Sequence, residues 1–310
     1  MTAVAEIPIV LNAPIQTWFG IGGGADRLAT PESMEQLRQC LATDVHLRVL
    51  GDGANLLVDD DGVGELVVAL SKPAFMDVHW DKEGGRLKAG AGANLPKLVI
   101  ESVRLGLGGL EGLGGIPATI GGAIRMNAGG AFGQIADVVD RVHGIRRDGS
   151  EFSLGRKEVG FSYRHSGLDD AIITSVELAL FPTDAGRLRT RHKEVMAYKA
   201  KSQPMADRSA GCVFKNPTLK ADLKDIGASG QRVSAGMLID RAGCKGMAVG
   251  GASVSERHGN FIVTDPKTAK ARHVIELMEH VVRRVDDYFG VTLEREVVVW
   301  QRSGRGKQVG

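Results

Sequence analysis

A chain of 310 residues, 43% of them hydrophobic, is long enough for two or three domains with real cores. A net charge of +2, with 25% of residues charged, gives no electrostatic case for a nucleic-acid or membrane partner. Three cysteines (Cys40, Cys212 and Cys244) with no C-x-x-C pair argue against a disulfide scaffold and against a zinc site, so no metal is expected. No apolar run approaches the roughly 18 residues of a membrane span. The first residues lack the basic and apolar regions of a secretion signal, and the expected setting is cytoplasmic.

Near the N-terminus, Gly20, Gly22 and Ala25 satisfy a G-x-G-x-x-A pattern, but no buried strand precedes it and no helix starts in it, so the dinucleotide match is weak. Thr30 is expected to cap a helix with Pro31 as its first residue, and Met34, Leu37 and Leu41 recur on one face. Strands are expected at His46–Leu50, Leu56–Val58 and Glu65–Leu70, with a tight Gly-Asp-Gly-Ala-Asn turn over 51–55. Shorter strands follow at Phe75–Trp80 and Arg86–Ala91. Asn94 then caps a helix that Gly106 ends. Val138–Arg146 and Glu151–Leu154 read as a hairpin across Asp148 and Gly149, and Ala171–Leu180 as a strong strand.

Residues 186–201 form a basic helical segment that reads as a solvated face. Beyond Pro204 come a loop over 209–217, a helix over Ser234–Ala242 and a strand over Asn260–Thr264. The longest helix is expected to start at Pro266 with Thr264 or Asp265 as cap, to carry an apolar stripe from Val274 to Phe289, and to stop at Gly290. A strand over Leu293–Trp300 and a frayed tail close the chain. The boundaries expected are 1–72, 73–203 and 204–300, each an α+β domain, with a tail over 301–310.

The densest chemical signal lies between Gly106 and Gly130, where ten of 25 residues are glycine. Its centre, Gly114 to Gly122, reads as a loop of successive amide donors stiffened by Pro117, suited to a phosphate or diphosphate. Interleaved Leu107, Leu110, Leu113, Ile116, Ile120 and Ile124 want burial and rule out a low-complexity linker. Three polar constellations accompany it. Ser162-Tyr163-Arg164-His165-Ser166 is a polar cluster between apolar segments. Residues 209–217 place Cys212 three positions before Lys215. Glu294 and Glu296 are expected on one face of a strand. Taken singly, these also read as a surface turn, a buried thiol and a surface ion pair, and His258 reads as a satisfied polar residue.

Taken together, and in order, these stretches resemble the UDP-N-acetylenolpyruvoylglucosamine reductases. The resemblance rests on Gly-Asp-Gly-Ala-Asn-Leu-Leu-Val (51–58), Gly-Ile-Pro-Ala-Thr-Ile-Gly-Gly-Ala (115–123), Met126-Asn127-Ala128-Gly129, Tyr163-Arg164, Gly-Cys-Val-Phe-Lys-Asn-Pro (211–217), Ala-Gly-Cys-Lys-Gly (242–246), the run from Val254 to Phe261, and Glu296-Val297. It implies a flavoenzyme of α+β class: two FAD-binding subdomains of the vanillyl-alcohol-oxidase type and a third, substrate-binding domain. NADPH would reduce non-covalent FAD, and hydride would pass to UDP-N-acetylglucosamine enolpyruvate to give UDP-N-acetylmuramate, a peptidoglycan precursor. No long insertion separates Arg164 from Cys212, which is similar to the shorter, second type of the family.

Carried over by position, the resemblance implies FAD contacts from Gly51, Asp52, Gly53, Ala54, Asn55 and Leu56. It implies more from Gly115, Ile116, Pro117, Ala118, Thr119, Gly121, Gly122 and Asn127. Arg164 would stabilise enolate charge, Cys212 would supply a proton where the family usually has serine, and Glu296 would orient or share the charge. Tyr163, Lys215, Asn216 and His258 would bind the sugar nucleotide. Alanine stands at 54, where serine is usual, and at 118, where glycine is usual, so residue 118 must hold φ below zero. The expected partner is this small molecule alone, with the protein a monomer. Two other readings stay open: an oxidase of a sugar lactone or alcohol on the same flavin fold, and a flavin- or nucleotide-binding protein without catalysis.

Overall fold

The computed structural model describes residues 7–302. The expected tail from residue 303 on lies outside the described residues. The chain forms two compact units that interleave in sequence. One comprises the chain up to Ala13, Ala25–Asp52 and Glu65–Lys199. The other comprises Pro14–Gly24, Gly53–Gly64 and the chain from Ala200 on. The boundaries expected from sequence run consecutively, whereas these units exchange the chain at the Gly51–Asn55 turn.

Among the described residues, the first unit carries two larger sheets, two short two-stranded ones and the α-helices α1 (Met34–Thr43), α2 (Leu95–Leu105), α3 (Ile120–Arg125) and α4 (Ala185–Ser202). A four-stranded sheet runs in the order Ile9–Ala13, Ala25–Ala29, Val63–Ala69, Arg48–Leu50. Its last pair is parallel, with Arg48 opposite Val67; α1 lies before both strands, between Ala25–Ala29 and Arg48–Leu50. A five-stranded antiparallel sheet runs Glu151–Gly155, Val139–Arg146, Ala171–Ala179, Arg86–Gly90, Val78–Asp81. Val142 opposes Val176 and both are fully buried, so the alternation of the two longest strands faces the core shared with Leu95, Leu98, Ile120 and Ile124.

The second unit packs α5 (Ala235–Arg241) and α6 (Ala271–Phe289) with a three-stranded antiparallel sheet, Ala248–Val249, Ala252–Val254 and Ile262–Thr264. Val274, Leu277, Met278, Val281 and Val285 form the buried stripe of α6, each contributing about 1.5–3 kcal/mol relative to exposure. A short parallel pair, Leu56–Val58 with Val298–Trp300, joins segments 242 positions apart; Val298 lies opposite Leu56.

Several boundaries differ from expectation for identifiable reasons. α1 starts after Ser33, whose side chain accepts from the Gln36 amide at 3.2 Å, while Thr30 still donates to Pro8 in the strand pairing. Pro73–Phe75 is a single helical turn that buries Phe75, so the strand begins only at Val78. His46 lies before its strand, its amide held by Asp44. α6 begins at Ala271 and not at Pro266. Asp265 closes a turn on Lys267 and Thr268, and the first helical amides go to the Asp60 carboxylate, Ala271 at 2.8 Å and Arg272 at 3.2 Å. A cap 211 residues away leaves no local mark in the sequence. Only Val298–Trp300 of the expected last strand is regular; Arg295 makes an isolated bridge to Phe214.

Candidate active site

In the first unit, the glycine-rich stretch is more structured than a loop. Thr119 caps α3, its hydroxyl accepting from the Gly122 amide at 3.2 Å. Several expected donors are engaged inside the protein: Ile116 to Leu113, Ile120 to Ala93 and Gly121 to Ala91, at 3.1, 2.8 and 2.8 Å. Among the described residues, the amides of Gly115, Ala118 and Thr119 have no hydrogen-bond partner. Glycine is required around them. A Cβ on Gly51 would lie 3.0 Å from the Thr119 hydroxyl, and Gly115 holds φ at 70°. Ala118 is not among the residues with positive φ, as an alanine there demands. Open amides in Gly115–Thr119 beside a bare glycine at 51 suit a diphosphate.

α4 is not only a solvated face. A Cβ on Gly115 would meet Met196 Sδ at 3.1 Å and Lys199 Cδ at 3.2 Å, so these side chains pack on the cradle. Lys199 is 8% exposed, its aliphatic stem covering the loop.

Arg164 belongs to the same unit. It occupies a turn closed by two backbone bonds, Ser162 N to His165 O at 2.9 Å and His165 N to Ser162 O at 3.2 Å. Its φ of 58° is left-handed, a conformation that favours glycine, and its guanidinium carbon lies 5.1 Å from the Tyr163 ring centre.

In the second unit, the segments that carry Cys212 and Glu296 come from opposite ends of the domain and are joined by backbone hydrogen bonds around an isolated bridge between Phe214 and Arg295. The Glu296 amide donates to Val213 O at 2.7 Å, and the Lys215 amide donates to Glu294 O at 2.8 Å. Cys212 is half-buried and outside any disulfide. Asn55, from the glycine turn, donates through its side chain to Glu296 O at 3.1 Å, and its own carbonyl accepts from Val298 N at 3.0 Å. Gly53 is forced to be glycine, because a Cβ there would lie 2.3 Å from Gln16 O. Among the described residues no cluster of three or more His, Cys, Asp or Glu could hold a metal ion.

Comparison with known proteins fits this division. Residues 203–300 match the family model for the C-terminal domain of UDP-N-acetylenolpyruvoylglucosamine reductase, and residues 25–155 match an FAD binding domain. The chain is 41% identical to the UDP-N-acetylenolpyruvoylglucosamine reductase of Desulfosudis oleivorans over 297 residues, covering 91% of each chain. It is 44% identical to the protein of that name from Thermus thermophilus, over 91% of this chain and 95% of the other. The chain belongs to the UDP-N-acetylenolpyruvoylglucosamine reductase family. The crystal structure of the enzyme from Thermus caldophilus superposes with a TM-score of 0.77 at 41% identity, over 95% of this chain and 99% of that one. The α+β class expected from sequence stands, with an FAD-binding domain followed by the reductase family's C-terminal domain.

Within that reductase C-terminal domain, the expected substrate residues are held tightly. Lys215 Nζ pairs with Glu294 at 2.5 Å, and the Asn216 side-chain oxygen accepts from the Ala235 amide at the start of α5. His258 Nδ1 accepts from the Asn260 amide at 3.1 Å, and its ring packs edge-on to Phe261. Burial pushes this imidazole below its ordinary pKa, and the Lys245 charge adds to the effect. Sequence reasoning missed Asn260. It is 3% exposed, accepts from Phe214 N at 2.9 Å and donates to Phe214 O at 2.8 Å, clamping the segment that follows Cys212. Its only signal was a polar residue opening the apolar run Phe261-Ile262-Val263.

Proposed function

We infer that the chain reduces UDP-N-acetylglucosamine enolpyruvate to UDP-N-acetylmuramate with NADPH, in peptidoglycan precursor synthesis. The observation that carries this reading is the agreement over 91% of the chain with a reductase at 41% identity. FAD, when bound, takes hydride from NADPH and supplies it to the methylene carbon of the enolpyruvyl group. Its diphosphate is held by the open amides of Gly115, Ala118 and Thr119. Gly51, Asp52, Gly53, Ala54, Asn55 and Leu56 lie along the cofactor, as do Ile116, Pro117, Gly121 and Gly122, whereas the Asn127 side chain is engaged with Ser162, Gln134 and Ala136.

Arg164 binds the substrate carboxylate through its fixed fork of donors and stabilises the negative charge that develops beside it. The Cys212 Sγ–H gives a proton to the carbon next to that carboxylate, completing addition across the double bond. Thiols have a reference pKa of about 8.5, so cysteine is a stronger acid than the serine usual at this position. Glu296 orients or shares charge with the developing aci-carboxylate. Tyr163, Lys215, Asn216 and His258 bind the sugar nucleotide. The protein acts as a monomer in the cytoplasm, with no nucleic-acid partner; among the described residues no helix is long and apolar enough to cross a membrane.

The test is an anaerobic colour cycle. The purified protein should be yellow, bleach with NADPH, and regain its colour when the enolpyruvyl sugar nucleotide is added. Cys212→Ala should slow the return of colour and leave bleaching unchanged. Colour that returns with oxygen alone, and not with the sugar nucleotide, would instead mark an oxidase.

A further inference from the structure

Arg164 sits in a backbone conformation that its own side chain does not favour, so something outside the turn must hold it there. Within the turn, Ser162 is exposed and Tyr163 and Arg164 are half-buried. The anchor is the Ser162 carbonyl. It accepts from His165 N within the turn and also from the side-chain amide of Asn127, at 2.8 Å.

Asn127 is 1% exposed, and its amide is engaged inside the protein. The nitrogen donates to Ser162 O and to Gln134 Oε1, the latter at 3.1 Å, and the oxygen accepts from Ala136 N at 3.3 Å. A carbonyl on one side and an N–H on the other leave the amide a single workable orientation. Gln134 is oriented in turn, because its nitrogen donates to Asp137 Oδ1 at 3.2 Å. A chain of hydrogen bonds therefore runs from Asp137 through Gln134 and Asn127 to the carbonyl that opens the Arg164 turn.

We propose that Asn127 is a positioning residue for Arg164, fixing the turn that aims the guanidinium. The proposal rests on the reading of Arg164 as the group that stabilises substrate charge. Asn127 itself has φ 42°, which glycine adopts without strain, so Asn127→Gly removes the side chain and spares the backbone. Asn127→Asp keeps the size and the acceptor for Ala136 N but cannot donate to Ser162 O.

Both variants should bind FAD within about threefold of the parent and bleach with NADPH at the parental rate. Both should regain colour with the enolpyruvyl sugar nucleotide about tenfold to a hundredfold more slowly, as expected for a misplaced catalytic group. Amide exchange of Ser162 and His165 in the protein without substrate should accelerate. In an Arg164→Ala background, Asn127→Gly should have no further effect on the rate. Unchanged exchange at His165 would overturn the proposal, as would loss of FAD affinity with an unchanged rate, or an effect that multiplies with that of Arg164→Ala. A parental rate in Arg164→Ala alone would instead overturn the reading of Arg164, whatever Asn127 does to the exchange of the turn.

Discussion

The two units hold their reactive side chains by different physics. In the first, Arg164 stands on a turn with an unfavourable φ, whose Ser162 carbonyl is bonded to the buried side-chain amide of Asn127. In the second, the segments of Cys212 and Glu296 are set by the register of a backbone bridge: the Glu296 amide is bonded to the carbonyl of Val213, and the Asn55 and Asn260 side chains brace the two segments. A register cannot shift by less than a residue, so a ladder fixes position in steps. A turn has no such steps, and its geometry depends on whatever anchors it. The first arrangement aims one group, whereas the second keeps together two segments that each carry one.

The comparison is broken most directly by Arg164→Ala. Removal of a preorganised charge-stabilising donor should slow the return of colour with the enolpyruvyl sugar nucleotide by about 10²–10³-fold. Bleaching by NADPH should be unchanged, and stopped-flow absorbance separates the two half-reactions. Arg164→Lys should recover little, since a single ammonium does not reproduce the planar fork.

On the other side, Asn260→Ala removes both hydrogen bonds to Phe214 and leaves a buried N–H and a buried C=O unmatched. Each costs about 1–3 kcal/mol, so urea unfolding should show a loss of that order. If the ladder alone fixed Cys212, stability would fall and the half-reaction of the folded fraction would hold. Asp60→Ala tests the frame further out, since Asp60 caps the first two amides of α6. Loss of such a cap costs about 0.5–2 kcal/mol, with no change in the colour cycle.

Local chemistry was legible in the sequence, and long-range bookkeeping was not. The Asn94 cap and the Gly106 stop of α2 obey rules that act within a few residues, and the structure has both. The stripe of α6 was readable from its period, but its start was not, because its cap comes from Asp60. The glycine density at Gly106–Gly130 marked a close backbone approach. Which amides remain open depends on Ala91, Ala93 and Leu113, whose carbonyls take the others. The bonding of the Glu296 amide to Val213, next to Cys212, likewise goes with a bridge between Phe214 and Arg295 that no short pattern announces.

The smallest expected effect separates a buried histidine from a surface one. His258 is held neutral by burial first and by the Lys245 charge second, so its pKa in the folded protein lies below the ordinary 6.5. Above 6.5 the imidazole is neutral in both states and the contribution of this site to stability is complete. As the pH falls below 6.5, the unfolded chain takes up a proton that the folded protein resists, and stability declines until the folded pKa is passed. Replacing His258 with glutamine removes that proton uptake. Unfolding free energies measured by urea from pH 8 to pH 5 should therefore fall less steeply for His258→Gln than for the parent, with the curves parallel above pH 7. Identical slopes through pH 6 would mean that His258 ionises as readily in the fold as out of it, and that Lys245 and the Phe261 ring leave its charge undisturbed.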